Sequence, residues 1–274
     1  ATGERRYLQA ALNAWDDVVS KRLYITGSAS QHEHFHGDYE LPNQTSANMA
    51  ETCVTTTWIQ LNLQLLRMTG EARFGEQLER TLYNHLAAAQ RPDGAQWCYY
   101  TALEGKKPYG PGINCCVSSG PRGMALAPQA GFIKLKVNGR EALAANLFES
   151  SRVTTTLANE PITVEQRGEF PQRGLSTFTF KLGKPMAFEF MVRAPAWSSP
   201  LKLQVNGTTV RAGLRQGWAV VPAREWRDGD RLTVSFSLEP KMVLGDHGNA
   251  GLAALTYGPF VLAYDQSKNP GLPV

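Results

Sequence analysis

The hydrophobic period of this chain changes once, and that change constrains the fold more than any other feature. Over roughly the first 130 residues, apolar side chains recur every three or four positions, the repeat of a helix face. Leu8, Ala11, Leu12, Trp15, Val18 and Val19 form one stripe, and Phe74, Leu78, Leu82, Leu86 and Ala89 form another. Val54, Trp58, Leu61, Leu65 and Met68 repeat likewise, but Ile59, Leu63 and Leu66 add a second apolar side. That helix is expected to be buried around most of its circumference, as an inner helix of a layered array is. Gly70 reads as its C-terminal cap, and Arg91-Pro92-Asp93-Gly94 as the turn closing the next helix. Helices joined by short loops imply antiparallel hairpins.

From about residue 131 the period is two. Ile133, Leu135 and Val137 alternate with lysines and run into Asn138-Gly139, a hairpin signal. Phe178 and Phe180, then Phe188 and Phe190, alternate in the same way. Leu201, Leu203 and Val205 lead into Asn206-Gly207, and Leu232, Val234 and Phe236 precede Pro240. Leu252 to Tyr264 reads as a last strand pair broken at Gly258-Pro259. The pattern predicts an α+β, multidomain chain. A helical region over 1–130 meets an antiparallel β-sandwich over 131–274, with the boundary near Pro128 to Gly131.

At 274 residues the chain can bury a large core. Its net charge of +4, without a dense Lys/Arg run, argues against a nucleic-acid partner. No apolar run reaches the roughly eighteen residues of a membrane span. The N-terminal Ala1-Thr2-Gly3-Glu4-Arg5-Arg6 lacks the apolar core of a signal peptide, although a mature chain would have lost one. Four cysteines without a disulfide-framework spacing lean towards a reducing, cytoplasmic compartment, with periplasmic or secreted locations left open. The sequons at Asn43 and Asn206 carry little weight, since such triplets are frequent by chance.

Three of those cysteines carry the chemistry. Cys115 and Cys116 are adjacent, and Cys53 follows Glu51 by two positions. Neighbouring Cα atoms lie about 3.8 Å apart, short of the usual disulfide span. As thiolates the pair can instead ligate a metal, with Glu51 and Cys53 completing four donors, the coordination zinc prefers. The alternative is that these are small buried apolar side chains, and the spacing is not a standard finger pattern. Cys98 reads as core packing. On a helix, Glu51 and Cys53 would point about 200° apart, so they are expected just before the buried helix or in its first turn. Cys115 and Cys116 are expected just before a helix capped by a serine of Ser118-Ser119-Gly120-Pro121.

Upstream, His32, His34 and His36 alternate with Glu33 and Phe35. As a strand this would line three imidazoles on one face as a metal strip, with Glu33 opposite. A polar loop whose histidines make hydrogen bonds is the preferred reading. Glu33 is a candidate general acid or base in either case.

Taken in order, Glu33, Asp38-Tyr39-Glu40-Leu41-Pro42-Asn43, Ala50-Glu51-Thr52-Cys53 and Cys115-Cys116 resemble the signature of the β-L-arabinofuranosidase-like glycoside hydrolases. These are glycoside hydrolase family 127 and its relatives, formerly domain of unknown function 1680. The family pattern reads G-E-x-F-x-x-D-Y-D-L-P-N, then A-E-T-C, then C-C. Here His32 stands where Gly is common, and Glu40 stands for the second Asp. The extra residues between Glu33 and Glu51 fall between Asn43 and Ala50, after the aligned motif.

The resemblance implies part of an (α/α)₆ barrel followed by a β-sandwich. It implies Zn²⁺ held by Glu51, Cys53, Cys115 and Cys116, Cys115 as nucleophile, Glu33 as acid/base, and Tyr100 as a substrate contact. A retaining hydrolase of β-L-arabinofuranosides or related glycosides would follow. A non-catalytic carbohydrate-binding or zinc-structural module is the alternative, and a thiol redox protein lacks its C-x-x-C motif. The helical half holds about four or five helices, well short of a closed barrel. The chain thus corresponds to a C-terminal portion that needs either the missing N-terminal barrel half or a homo-oligomeric partner, and its end at Gln266-Ser267-Lys268-Asn269-Pro270 looks clipped after a strand.

Overall fold

A computed structural model describes residues 3–110, 112–198, 201–222 and 224–271. The apolar stripe of the first segment folds as α1 (Arg5–Asp17), prolonged by a π-helical stretch, Val18–Arg22. Trp15 from that stripe stacks on Trp58 at 6.2 Å, meets the edge of Phe74 at 4.9 Å, and donates its indole N–H to Asn62.

The doubly apolar segment is α2 (Thr52–Thr69), buried on most sides as expected. It ends where Gly70 turns left-handed (φ 71°) and donates to the Leu66 carbonyl, a conformation that costs glycine least. Then follow α3 (Ala72–Arg80), a π-helical stretch (Thr81–Leu86) and α4 (Ala87–Ala89). The last helix is α5 (Cys115–Gly131), and α2 packs on both α3 and α5. Only the α2–α3 link is a short loop. Residues 23–51, with a single 3-10 turn at Thr45–Ala47, and the described residues between α4 and α5 form long connections that both lead to the candidate site.

Strands begin immediately after α5. One six-stranded sheet holds β1 (Phe132–Val137), β2 (Arg140–Ala145), β6 (Met186–Arg193), β10 (Trp218–Val220) and β9 (Gly213–Arg215) in that order, with β11 (Arg224–Trp226) also on β6. The facing sheet runs β3 (Ser151–Leu157), β4 (Glu160–Gly168), β5 (Leu175–Leu182), β12 (Arg231–Ser235), β7 (Lys202–Val205) and β8 (Thr208–Val210). Both Asn-Gly signals are hairpin turns with positive φ at both residues, closing β1–β2 and β7–β8. The sandwich is antiparallel as expected, except that β2 and β6 pair in parallel. Between them the chain crosses to the other sheet for β3 to β5 and returns in its original direction, which dictates parallel pairing.

Phe178, Phe180, Phe190, Trp226 and Val234 fill the space between the sheets; burying one such aromatic contributes roughly 2–3 kcal/mol. The outer face of the first sheet is also covered. Ile133, Ala142, Ala144, Met191 and Trp218 pack into the same core as α1, α2 and α3, and Trp218 donates to the Gly70 carbonyl at 2.7 Å.

The last strands, expected to continue the sandwich to residue 274, form a sheet of their own. It consists of β13 (Pro240–Leu244), β14 (Ala253–Tyr257) and β15 (Phe260–Val261). Met242, Leu244, Leu255 and Leu262 are exposed on it. Among the described residues no helix is long and apolar enough to cross a membrane.

Candidate active site and metal centre

Two helix N-termini converge at the site. Glu51 is the N-cap residue of α2, extended at φ −62°, ψ 138°, so its side chain and that of Cys53 need not obey helical spacing. The segment Trp97–Tyr100 runs antiparallel beside it. Thr52 donates its backbone N–H to the Tyr99 carbonyl and its hydroxyl to the Cys98 carbonyl. From the other side comes α5, and here the expected serine cap is corrected. Asn114 is the N-cap, its side chain accepting from the N–H groups of Cys116 (2.9 Å) and Val117 (3.2 Å). The helix therefore starts at Cys115 itself, and Pro121 lies inside it. Gly120 allows the approach, since a Cβ there would sit 2.3 Å from the Trp97 ring.

Glu51, Cys53, Cys115 and Cys116 come together, with one donor atom from each within 4.8 Å of all the others. The Cys53 and Cys116 sulfurs are 3.7 Å apart, and those of Cys115 and Cys116 4.0 Å apart. Both sulfurs of the vicinal pair stand 3.7 Å from Glu51 Oε1. A disulfide requires about 2.05 Å, so all four cysteines are free thiols. Tetrahedral zinc, at about 2.3 Å to sulfur and about 2.0 Å to oxygen, spaces its sulfurs about 3.8 Å apart and sulfur from oxygen about 3.5 Å. The donor set fits such an ion.

Burial pushes the Cys53 thiol up to about 11 and raises Cys116 too. These thiols ionise readily only with a cation among them. Cys115, at the first helical position, is the exposed member.

Glu33 joins the site through Tyr99. The Tyr99 hydroxyl donates a short hydrogen bond to Glu33 Oε1 and lies 3.5 Å from Cys115 Sγ. Tyr100, the substrate contact implied by the resemblance, turns its ring towards His32, 6.4 Å away and edge-on, and contacts Tyr99 at 4.8 Å. Burial first, and then the carboxylates of Glu33 and Glu51, raises its hydroxyl pKa. Both tyrosines of Trp97-Cys98-Tyr99-Tyr100 thus lie beside Glu33.

The histidine strip is a loop and not a strand. His32 and Glu33 have φ of 48° and 69°, so the alternation that set Glu33 opposite the imidazoles does not hold. His36 bonds the Gln31 carbonyl at 2.8 Å, and His32 meets Asn48 at 3.3 Å; none of the three joins the donor cluster. Cys98 is fully buried, as expected of core packing. No motif points to Ser119. Its hydroxyl lies 3.1 Å from Cys53 Sγ and accepts a hydrogen bond from Arg122 at 3.2 Å.

Comparison with known proteins bears on the same elements. Residues 1–129 match the catalytic-domain model of the GH127 β-L-arabinofuranosidases, and residues 142–238 match their middle-domain model. The chain belongs to glycoside hydrolase family 127.

This family 127 chain is 28% identical over 297 residues to a non-reducing end β-L-arabinofuranosidase of Bifidobacterium longum subsp. longum, covering 98% of the chain and 44% of that protein. A GH127 β-arabinofuranosidase structure superposes with a TM-score of 0.85 at 28% identity, over 95% of the chain and 44% of its own. A GH127 β-L-arabinofuranosidase from Geobacillus stearothermophilus T6 gives 0.82 at 24% identity, over 92% and 42%. The fold is thus part of a helical barrel followed by a β-sandwich, and the chain spans less than half the length of these relatives.

Proposed function

We propose that the chain carries the nucleophile, the acid/base and the metal ligands of a retaining glycoside hydrolase acting on β-L-arabinofuranosides or closely related sugars. The observation that carries this reading is the Tyr99 hydroxyl, which contacts both Glu33 and Cys115. Two groups that reach one hydroxyl lie at most about 6 Å apart, close to the roughly 5–5.5 Å between the catalytic groups of retaining enzymes. The similarity to β-L-arabinofuranosidases supports the choice of sugar.

Glu51, Cys53, Cys115 and Cys116 would hold zinc, and what zinc supplies there is the charge that keeps these thiols ionised near neutral pH. Cys115 attacks the anomeric carbon, forming a C–S bond as the bond to the leaving oxygen breaks. Glu33 gives that oxygen its proton. Glu33, now a carboxylate, takes a proton from water as the water attacks the same carbon, and the sulfur departs as a thiolate. Tyr99 holds Oε1 of Glu33, which leaves Oε2 for the proton transfers. A purely structural metal site would enclose all its ligands, whereas Cys115 is exposed. Tyr100 stands beside His32 and Tyr99 and would contact the sugar.

The five α-helices among the described residues form only part of a barrel wall. The remainder of the sugar pocket comes from further polypeptide of the same protein or from a second copy. Light scattering distinguishes these, since a copy-completed site requires a stable oligomer.

The test is metal analysis together with hydrolysis of aryl and alkyl furanosides. One equivalent of zinc is expected, lost in Cys53→Ser together with stability. Cys115→Ser should abolish turnover on every substrate. Glu33→Gln should spare the first step on activated aryl glycosides and accumulate a sugar adduct on Cys115, visible by mass spectrometry. An adduct on a carboxylate, or a Glu33→Gln variant as active as the parent on alkyl glycosides, would overturn the mechanism.

A further inference from the structure

The Glu33 loop is held from a distant part of the chain. Ser30, His32, Glu33, Tyr39, Asn48 and Ala50 all have positive φ, a set of backbone conformations that persists only where surrounding contacts over-determine it. On one side those contacts come from α1 and its π-helical extension. Lys21 accepts from the Tyr39 N–H at 3.0 Å, Lys21 and Arg22 pair with Asp38, and Arg22 also reaches the His36 carbonyl.

On the other side they come from the loop between β13 and β14. His247 lies flat on the Tyr39 ring, centroids 3.8 Å apart and planes 4° from parallel. Asn43 donates to the Asn249 side chain at 2.6 Å. The β13–β14 loop is itself tightly closed, because a Cβ on Gly245 would meet the Asn249 carbonyl at 2.2 Å. It lies beyond residue 238, outside both matched family models.

We infer that His247 and Asn249 are positioning residues for Glu33, the β13–β14 loop bracing the segment that aims the acid/base. The inference rests on the reading of Glu33 as the acid/base. Glu33 is exposed, and its carboxylate accepts a hydrogen bond from Tyr99, so its aim follows the path of its backbone. Releasing the brace loosens residues 37–43, and proton transfer to the leaving oxygen suffers first. Attack by Cys115, fixed on α5, is spared.

The test compares His247→Ala, Asn249→Ala and His247→Phe in the protein that contains this chain. Amide exchange of residues 33–43 should quicken by about tenfold in His247→Ala, the loss of one aromatic stack, while α2 and α3 stay protected. The same variant should lose about tenfold in kcat/KM on alkyl furanosides but little on activated aryl ones, where proton donation matters less. Asn249→Ala should act in the same sense, and His247→Phe, which keeps the stack, should restore the parent in both readouts. Unchanged exchange, an equal loss on both substrate types, or no rescue by phenylalanine would overturn the inference. If the parent hydrolyses no furanoside, the proposed function fails, and exchange alone decides whether the brace exists.

Discussion

Cys53 depends on a neighbour that belongs to no motif. The Ser119 hydroxyl 3.1 Å away already accepts from Arg122, so its own proton is free to point at the sulfur once Cys53 is a thiolate. Hydrogen bonds of this kind orient metal ligands, and losing one typically costs about 10–100-fold in affinity. Ser119→Ala should therefore release zinc to a competing chelator more readily by about that factor, with little change in melting. A second residue governs pH behaviour. Burial pushes the Glu149 carboxyl up to about 7, opposed by Arg193 nearby. Between about pH 4.5 and 7 the folded protein then holds a proton that the unfolded chain has released, so stability falls as pH rises through that window. Thermal unfolding followed across it should show a shallower slope in Glu149→Gln.

Among the elements, α5 carries the most constraint. Asn114 satisfies two N–H groups of its first turn, and Asn114→Ala should cost about 1 kcal/mol in denaturant unfolding. Gly120 and Gly123 let the helix lie against Trp97, Thr56 and Leu86; an added Cβ would meet these at 2.3 Å, 2.8 Å and 2.9 Å. Gly120→Ala should thus destabilise by about 1–3 kcal/mol through overpacking. It should also weaken metal binding, because a shift of α5 moves Cys115 and Cys116 relative to Glu51. Urea titration and zinc content measured on the same sample would check both.

Across the whole molecule, helices and sandwich are joined by a buried polar link as well as an apolar core. Glu79 of α3 is buried between the Arg193 guanidinium at the end of β6 and the Trp197 indole N–H at 2.7 Å. Burial raises its carboxyl pKa, while Arg193 and Trp197 favour the ionised form. Arg193→Met would strand that carboxylate at a cost of about 3–5 kcal/mol, whereas adding Glu79→Gln should recover much of it, since removing a buried pair together costs far less than breaking it. Differential scanning calorimetry of the two variants tests this. Co-operative unfolding of both halves in one transition is expected, because Met191 and Trp218 of the sheet share a core with Trp15 and Leu63 of the helices.

Local rules reach the elements but not their arrangement. The period change, Gly70 and the two Asn-Gly turns are encoded within a few residues each, and the helices and hairpins follow them. The ordered motifs likewise mark Glu51, Cys53, Cys115 and Cys116 as one group, and the four donors do converge. The start of α5 is not legible locally because Ser118 and Asn114 both cap well, and the choice depends on Cys115 meeting Glu51 across 64 positions. That the Tyr99 hydroxyl reaches both Glu33 and Cys115 is not legible locally, because those partners lie 66 and 16 positions away. The parallel β2–β6 pairing, the separate third sheet and the His247–Tyr39 stack are contacts between segments far apart in sequence. Periodicity describes how one segment meets its surroundings, and only tertiary packing decides which segment those surroundings are.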